Sequence, residues 1–225
     1  MSDKHFWLRR NFKGALFDMD GVLLDSSSLH ASAFEVVLRK FGVESVDYST
    51  VAGMRTEAAL ASFSCRFGLG LSEHAIADLA KQKRDVTAKQ FERQLPLAQS
   101  CLEVLAFFRG RGKIGLVSSS SRASVDRLVA YCRKGHVEFD AVLSGEDVLN
   151  SKPAPDGYLK VLDLMAMKPS ETFAVEDSVA GVRSATAASI RVVGLAGTST
   201  PEELRQAGAL TAIQSLSQLM SDADL

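Results

Sequence analysis

The chain has 225 residues, enough for one large domain or for a core domain with a smaller insert. It is 46% hydrophobic, which permits a sizeable packed core and excludes a disordered chain. Lys and Arg total 26 against 27 for Asp and Glu, a balance that argues against a nucleic-acid surface or a polybasic membrane anchor but leaves room for a local basic pocket. No apolar run approaches the length of a membrane span. Arg9 and Arg10 are followed by no apolar stretch, so the start does not read as a secretory signal. Cys65, Cys101 and Cys132 lie far apart and without metal-ligand spacing; they read as buried thiols of a reducing, cytoplasmic compartment.

Residues 1–12 read as a loose leader, and residues 14–18 as a first strand. That strand runs Ala15-Leu16-Phe17-Asp18 and continues Met19-Asp20-Gly21-Val22. It is an apolar run ending on two carboxylates one residue apart, with a glycine suited to a sharp turn. From 30 to 41 the apolar positions Ala33, Val36, Val37 and Phe41 recur at helical spacing, and Gly42 stops the helix. A second helix is expected over 58–67. Ser72 looks like the N-cap of a long third helix running towards Phe91. No convincing strand appears between 25 and 95, and Pro96 marks the exit from this all-helical block.

Beyond Pro96, helices alternate with short apolar strands. Helices around 100–109, 123–132, 156–165 and 179–188 precede strands at 113–117, 141–143, 172–175 and 191–194. Such alternation implies an α/β unit with a parallel sheet covered on both faces, with the helical block inserted after the first strand. A closing helix at 201–207 and a short final helix complete the expectation.

In an open parallel sheet, ligands bind outside the carboxyl ends of the strands. Asp18 and Asp20 follow the first strand, and residues i and i+2 of a strand share a side, so both acids can crowd one site. Such a pair needs a proton or a divalent cation between its members; the alternative is two solvated acids. Ser118, Ser119, Ser120 and Ser121 follow the second strand, Lys152 comes after the third, and Glu176 and Asp177 follow the fourth. Serines often cap helices, Lys-Pro is usually a loop and Glu-Asp a solvated turn. Their shared position at strand ends favours a common site.

These pieces resemble the haloacid dehalogenase superfamily of aspartate-nucleophile hydrolases. The resemblance is carried by D-M-D-G-V-L-L-D at 18–25, L-V-S-S-S at 116–120, S-K-P-A-P-D at 151–156 and V-E-D-S-V-A-G at 175–181. It implies a Rossmann-like three-layer core over residues 1–24 and 97–225, with a helical cap domain over 25–96. The subgroup it points to holds small sugar-phosphate phosphatases and β-phosphoglucomutase. By resemblance Asp18 is the nucleophile and Asp20 the general acid and base. Ser118 and the amide of Ser119 hold phosphoryl oxygens, and Lys152 neutralises their charge. Mg²⁺ sits between Asp18, the carbonyl of Asp20 and Asp177, with Glu176 joining directly or through water.

Cap candidates for substrate choice are Arg55, in the stretch matching the subgroup's specificity loop, His30, where the mutase carries a hinge histidine, and Lys83, near a cap lysine. Their alternatives are an exposed helix-start arginine, a satisfied helix-surface histidine and, preferred for Lys83, a solvated face shared with Lys81 and Arg84. Ser121-Arg122 stands where the mutase has Lys-Asn for the distal phosphate. The resulting expectation is a Mg²⁺-dependent phosphatase of a small phosphate ester, a sugar or polyol phosphate. The alternatives are a phosphomutase and a non-catalytic scaffold that binds a phosphorylated metabolite. No nucleic-acid or membrane partner is expected, and the sequence leaves the oligomeric state open.

Overall fold

The computed structural model describes residues 12–223, so the leader lies outside the described residues except for Phe12. Strand β1 (Gly14–Phe17) is fully buried and lies inside a 6-stranded sheet. It pairs in parallel with β2 (Lys113–Val117) on one side and β4 (Thr172–Glu176) on the other. The sheet continues outward to β3 (Ala141–Leu143) beyond β2, and to β5 (Arg191–Leu195) and β6 (Thr211–Ile213) beyond β4. The order is therefore β3-β2-β1-β4-β5-β6, and it reverses direction between β1 and β4. Strand β6 has no counterpart in the sequence expectation, because three residues flanked by loops give too short a run to show periodicity.

Strand side chains alternate between two cores. Ala15, Phe17, Ile114, Leu116, Phe173, Val175, Val193 and Leu195 face a layer that holds α4 (Cys101–Arg109), α5 (Arg122–Lys134) and α9 (Gln218–Ala223). Leu16, Val117, Ala174 and Val192 face the opposite layer, with α6 (Asp156–Leu164), α7 (Val179–Ala187) and α8 (Pro201–Ala207). This is the α/β three-layer arrangement, and the period of two along each strand explains it.

Between β1 and α4 the chain makes helices and no strand of the sheet: α1 (Ser27–Leu38), α2 (Thr56–Arg66) and α3 (Glu73–Arg93), with a long connection over 39–55 that holds two 3-10 turns (Arg39–Phe41 and Tyr48–Thr50) and a short one before α3. Ser72 caps α3, its side chain accepting from the Ala75 N–H at 3.2 Å. Phe34, Val37, Leu38, Leu60, Phe63, Leu79 and Ala80 form a hydrophobic cluster separate from both cores of the sheet. Two strands of linker tie this block to the sheet. Asp25 N donates to the Pro96 carbonyl at 2.7 Å, and Ala98 N to the Leu23 carbonyl at 3.0 Å. Among the cysteines, Cys101 and Cys132 are buried thiols, but Cys65 is exposed, because its place in α2 faces away from the cluster. Among the described residues, no helix is long and apolar enough to cross a membrane.

Candidate active site

The strand order gathers the chemistry. Strands β2, β1 and β4 are neighbours, so the residues after each emerge together at the carboxyl edge, beside the point where strand order reverses. Asp18 follows β1 directly and is buried. The chain then folds back sharply: the amides of Leu23 and Leu24 both reach the Met19 carbonyl at 2.9 Å. Gly21 makes this turn with φ +82, and a Cβ there would lie 1.8 Å from Asp177 Oδ2. Only glycine allows both the left-handed backbone and that close approach.

Asp18, Glu176 and Asp177 place carboxylate oxygens within 4.8 Å of one another, and all three residues are buried. Lys152, also buried, bonds Asp18 Oδ1 and donates to Glu176 Oε1 at 2.6 Å and to the Val117 carbonyl at 3.2 Å. Tyr158 adds its hydroxyl to the same Glu176 oxygen at 2.6 Å. Burial raises the Asp18 carboxyl well above the ordinary range; Lys152 opposes this, while Glu176, Asp177 and Asp20 add to it. Burial, with the Glu176 charge beside it, pushes Asp177 up to about 7. Lys152 moves the other way: burial works against its charge, but Asp18 and Glu176 outweigh it and keep the ammonium protonated.

Asp20 belongs to a second network. Its Oδ1 accepts from Ser26 Oγ at 2.7 Å and meets His30 Nε2 at 2.8 Å, and its Oδ2 accepts from Ser120 Oγ at 2.5 Å. His30 Nδ1 lies 2.6 Å from Lys83 Nζ. An ammonium can only donate there, so His30 accepts at Nδ1 and donates from Nε2, which makes it a neutral imidazole. Burial and the adjacent Lys83 hold the His30 pKa down, in agreement. Burial opposes the Asp20 charge, but hydrogen bonds from His30, Ser120 and Ser26 prevail and keep this carboxyl below the ordinary range. Burial brings Lys83 down to about 8. The ion lies 4.8 Å over the Phe34 ring, so the solvated face expected around Lys83 is not what the structure shows.

The serines divide the remaining work. Ser118 is buried; its N–H donates to the Leu143 carbonyl at 3.0 Å and its Oγ accepts from Ser120 N at 3.0 Å. Ser119 Oγ donates to the Gly53 carbonyl at 2.6 Å, a contact from sheet to helical block. Arg55 lies at the start of α2 in the cleft between helical block and sheet. Its Nη atoms donate to the carbonyls of Val148 and Leu149, on the loop leading to Lys152.

Asp18, Asp20, His30, Lys83, Ser119 and Ser120 line one small pocket together with Tyr48 and Thr56. Sequence reasoning did not reach Tyr48, Tyr158 or Ser26. Tyr158 follows the Lys-Pro motif by one helical turn, the only local signal for it. Tyr48 stacks on His30 with ring centroids 5.7 Å apart, and nothing in its sequence surroundings marks that contact.

The donor set suits a hard divalent cation. Asp18, Glu176 and Asp177 offer carboxylate oxygens, and among the described residues Lys152 is the only cation bonded to them. Among the described residues no salt bridge reaches Asp177, and burial first, then the Glu176 charge, raises its pKa against the opposing effects of Thr198 and Lys152. Glu176 Oε1 is already occupied by Lys152 and Tyr158, which leaves Asp18 and Asp177 as the freer donors.

Known proteins resemble this chain over most of its length. Protein CbbY of Rhodobacter capsulatus is 31% identical over 192 residues, covering 80% of this chain and 84% of its own. Fructose-1-phosphate phosphatase YqaB of Escherichia coli is 29% identical over 185 residues, covering 81% of this chain and 95% of its own. The crystal structure of CbbY from Rhodobacter sphaeroides in complex with phosphate superposes with a TM-score of 0.77 at 26% identity, covering 95% of this chain and 100% of the other. Residues 15–195 match the model of one family, and with the strand order and the acid cluster this settles that the chain belongs to the haloacid dehalogenase-like hydrolases.

Proposed function

We propose that the protein is a Mg²⁺-dependent phosphatase of a small phosphorylated metabolite, a sugar or polyol phosphate, and that it works through an aspartyl-phosphate. The observation that carries this is Lys152 set between Asp18 and Glu176 at the strand edge, with Asp177 against the same acids. Asp18 attacks phosphorus, and the ester oxygen leaves with a proton from Asp20. Asp20 then takes a proton from the water that opens the acyl-phosphate. Ser118, the amide of Ser119 and Lys152 hold the phosphoryl oxygens while charge builds on them. Asp18, the carbonyl of Asp20 and Asp177 would hold Mg²⁺, with Glu176 beside them; when bound, the ion offsets negative charge on the acids and on phosphate.

Residues 25–96 act in this proposal as a cap. Asp20 is tied to them through His30 of α1 and, behind it, Lys83 of α3. While those donors hold Asp20 it stays ionised, so its use as an acid depends on how the cap sits. Arg55 ties the cap to the loop of Lys152, which makes it a closing contact in addition to a candidate substrate contact. A phosphomutase has to grip a second phosphate, and Arg122, in the corresponding stretch, is bonded to Asp147 instead. Phosphate release from a panel of phosphate esters, with Mg²⁺ and with excess chelator, tests the proposal. Metal-dependent release is expected; full activity in chelator, or no release from any ester, refutes it.

A further inference from the structure

Beside the small pocket lies an open cleft of 340 Å³, lined by Arg55, Glu57, Arg84, Ser121 and Glu146 among others. Thr56, Ser119 and Ser120 line both cavities, so a molecule whose phosphate sits at Asp18 extends into this cleft. The cations there are engaged, except that the buried Nε of Arg55 has no hydrogen-bond partner. Arg84 Nη1 is paired with Glu57 Oε1, and Arg55 is bonded to backbone carbonyls. Arg122, at the neighbouring start of α5, is bonded to Asp147 and lies 3.8 Å from Asp126.

The amino end of α5 is engaged as well. A helix start attracts phosphate through its free amides. Here Arg122 N donates to Glu146 Oε1 at 3.1 Å and Ser124 N to Ser121 Oγ at 3.4 Å. The helix end that would draw a second phosphate already holds a carboxylate of the chain itself. An anionic distal group at the α5 end would have to displace Glu146, and one at Arg84 would have to displace Glu57, and it would then lie beside the displaced carboxylate. A hydroxyl-bearing end displaces no charge and finds donors and acceptors on the serines and on the Glu57–Arg84 pair.

We propose that Glu57 and Glu146 are specificity-determining residues that turn away a second anionic group, so that the substrate is a phosphomonoester with an uncharged, hydroxyl-bearing distal end. This rests on the phosphatase reading and deepens it. The substrate then comes from a reaction that places one phosphate on a polyhydroxy compound, and not from one that leaves a bisphosphate.

The test is competition against p-nitrophenyl phosphate hydrolysis, with inhibition constants for fructose 1-phosphate and fructose 1,6-bisphosphate. The native enzyme should bind the monophosphate the more tightly. Glu146→Gln and Glu57→Gln should each shift the ratio about tenfold towards the bisphosphate, as expected for removal of one facing charge. Arg84→Gln should shift it the other way, because it leaves Glu57 without its partner. If the Glu57–Arg84 pair only held α2 to α3, both variants would weaken both ligands together and leave the ratio where it was. An unmoved ratio in both glutamate variants overturns the proposal, as does tighter binding of the bisphosphate by the native enzyme, or inhibition by neither sugar. Failure of the native enzyme to hydrolyse p-nitrophenyl phosphate at all would instead refute the phosphatase reading beneath it.

Discussion

Replacing Asp177 with Asn should stabilise the metal-free protein at neutral and alkaline pH while harming its activity. Asp177 is 3% exposed, and burial with the Glu176 charge lifts its pKa from the ordinary 3.8 to about 7. The gap corresponds to ~4 kcal/mol. The sign follows from proton binding: between those two pH values the folded state holds the proton more tightly than the unfolded chain. Its contribution is therefore fully present below 3.8 and is lost as pH rises to about 7. Between pH 5 and pH 8 the loss is ~2–3 kcal/mol, or roughly 5–10 °C of melting temperature for a chain of this size. Asp18, whose carboxyl is raised for the same reason, adds to the slope and remains in the variant. Thermal melts in excess chelator measure the effect. Asp177→Asn should melt well above the native protein at pH 8 and by less than half that margin at pH 5, the gap closing only towards pH 3.8, and Mg²⁺ should raise the native protein far more than the variant. A native melting temperature that does not change between pH 5 and 8, or equal melting of both proteins at pH 8, would refute the account of repelling buried acids.

Asp18→Asn should abolish phosphate release and keep the native circular dichroism spectrum, since Lys152 retains Glu176; hydrolysis at the native rate by the folded variant removes Asp18 from the mechanism. Arg55→Ala severs both guanidinium bonds to the Val148 and Leu149 carbonyls, and with Arg55 partly exposed the cost is ~1–2 kcal/mol, or roughly five- to thirtyfold in kcat/KM. That loss should fall on p-nitrophenyl phosphate as much as on sugar phosphates, because a closing contact serves every substrate; a loss confined to the sugars would make Arg55 a substrate contact alone. Gly181→Ala would place a Cβ 1.8 Å from Glu176 Oε2 and force the carboxylate off its partners, lowering stability by ~1–3 kcal/mol. An unshifted melting curve would show that Glu176 yields without cost.

The sheet edge was legible because its chemistry follows strand ends that are themselves apolar runs. Asp18, Ser118 and Asp177 each come from such a position, and the parallel order brings them together, while Lys152 reaches them from the loop that follows β3. The limits of the helices were legible where a cap marks them, as Ser72 does for α3, and blurred by two or three residues where none does, as at Thr56 and at both ends of α1, expected over 30–41 and found over Ser27–Leu38. Lys83 was misjudged for a different reason. Its neighbours Lys81 and Arg84 are charged, and a charged run usually marks a solvated face. The helix turns 100° per residue, so one member of the run faces inward while the others stay out. What buries it is His30, 53 positions earlier, and no local pattern reports a partner at that separation. Tyr158 was missed because its task is to fill the second valence of a glutamate that sequence alone gives no reason to think short of donors.

The site as it stands is closed, and its closure bears on how the chemistry is controlled. The pocket around Asp18 and Asp20 measures 30 Å³, room for roughly two waters and not for a phosphorylated sugar. Besides the apolar packing of Phe91 and Leu29 against the sheet core, polar contacts close it. Ser119 reaches Gly53, Arg55 reaches the loop before Lys152, Ser27 Oγ lies 2.7 Å from Thr198 Oγ1, and His30 holds Asp20. Polar contacts of this kind give back most of their energy to water when broken, so each adds ~1 kcal/mol to closure and together they leave it reversible. The paired linkers at Leu23–Ala98 and Asp25–Pro96 stay bonded to each other, so the helical block can swing on them without either tearing. Whatever admits the substrate must also move His30, since α1 leaves directly from the linker that follows Asp20. In the proposed mechanism, entry of substrate and the parting of His30 from Asp20 are then one motion.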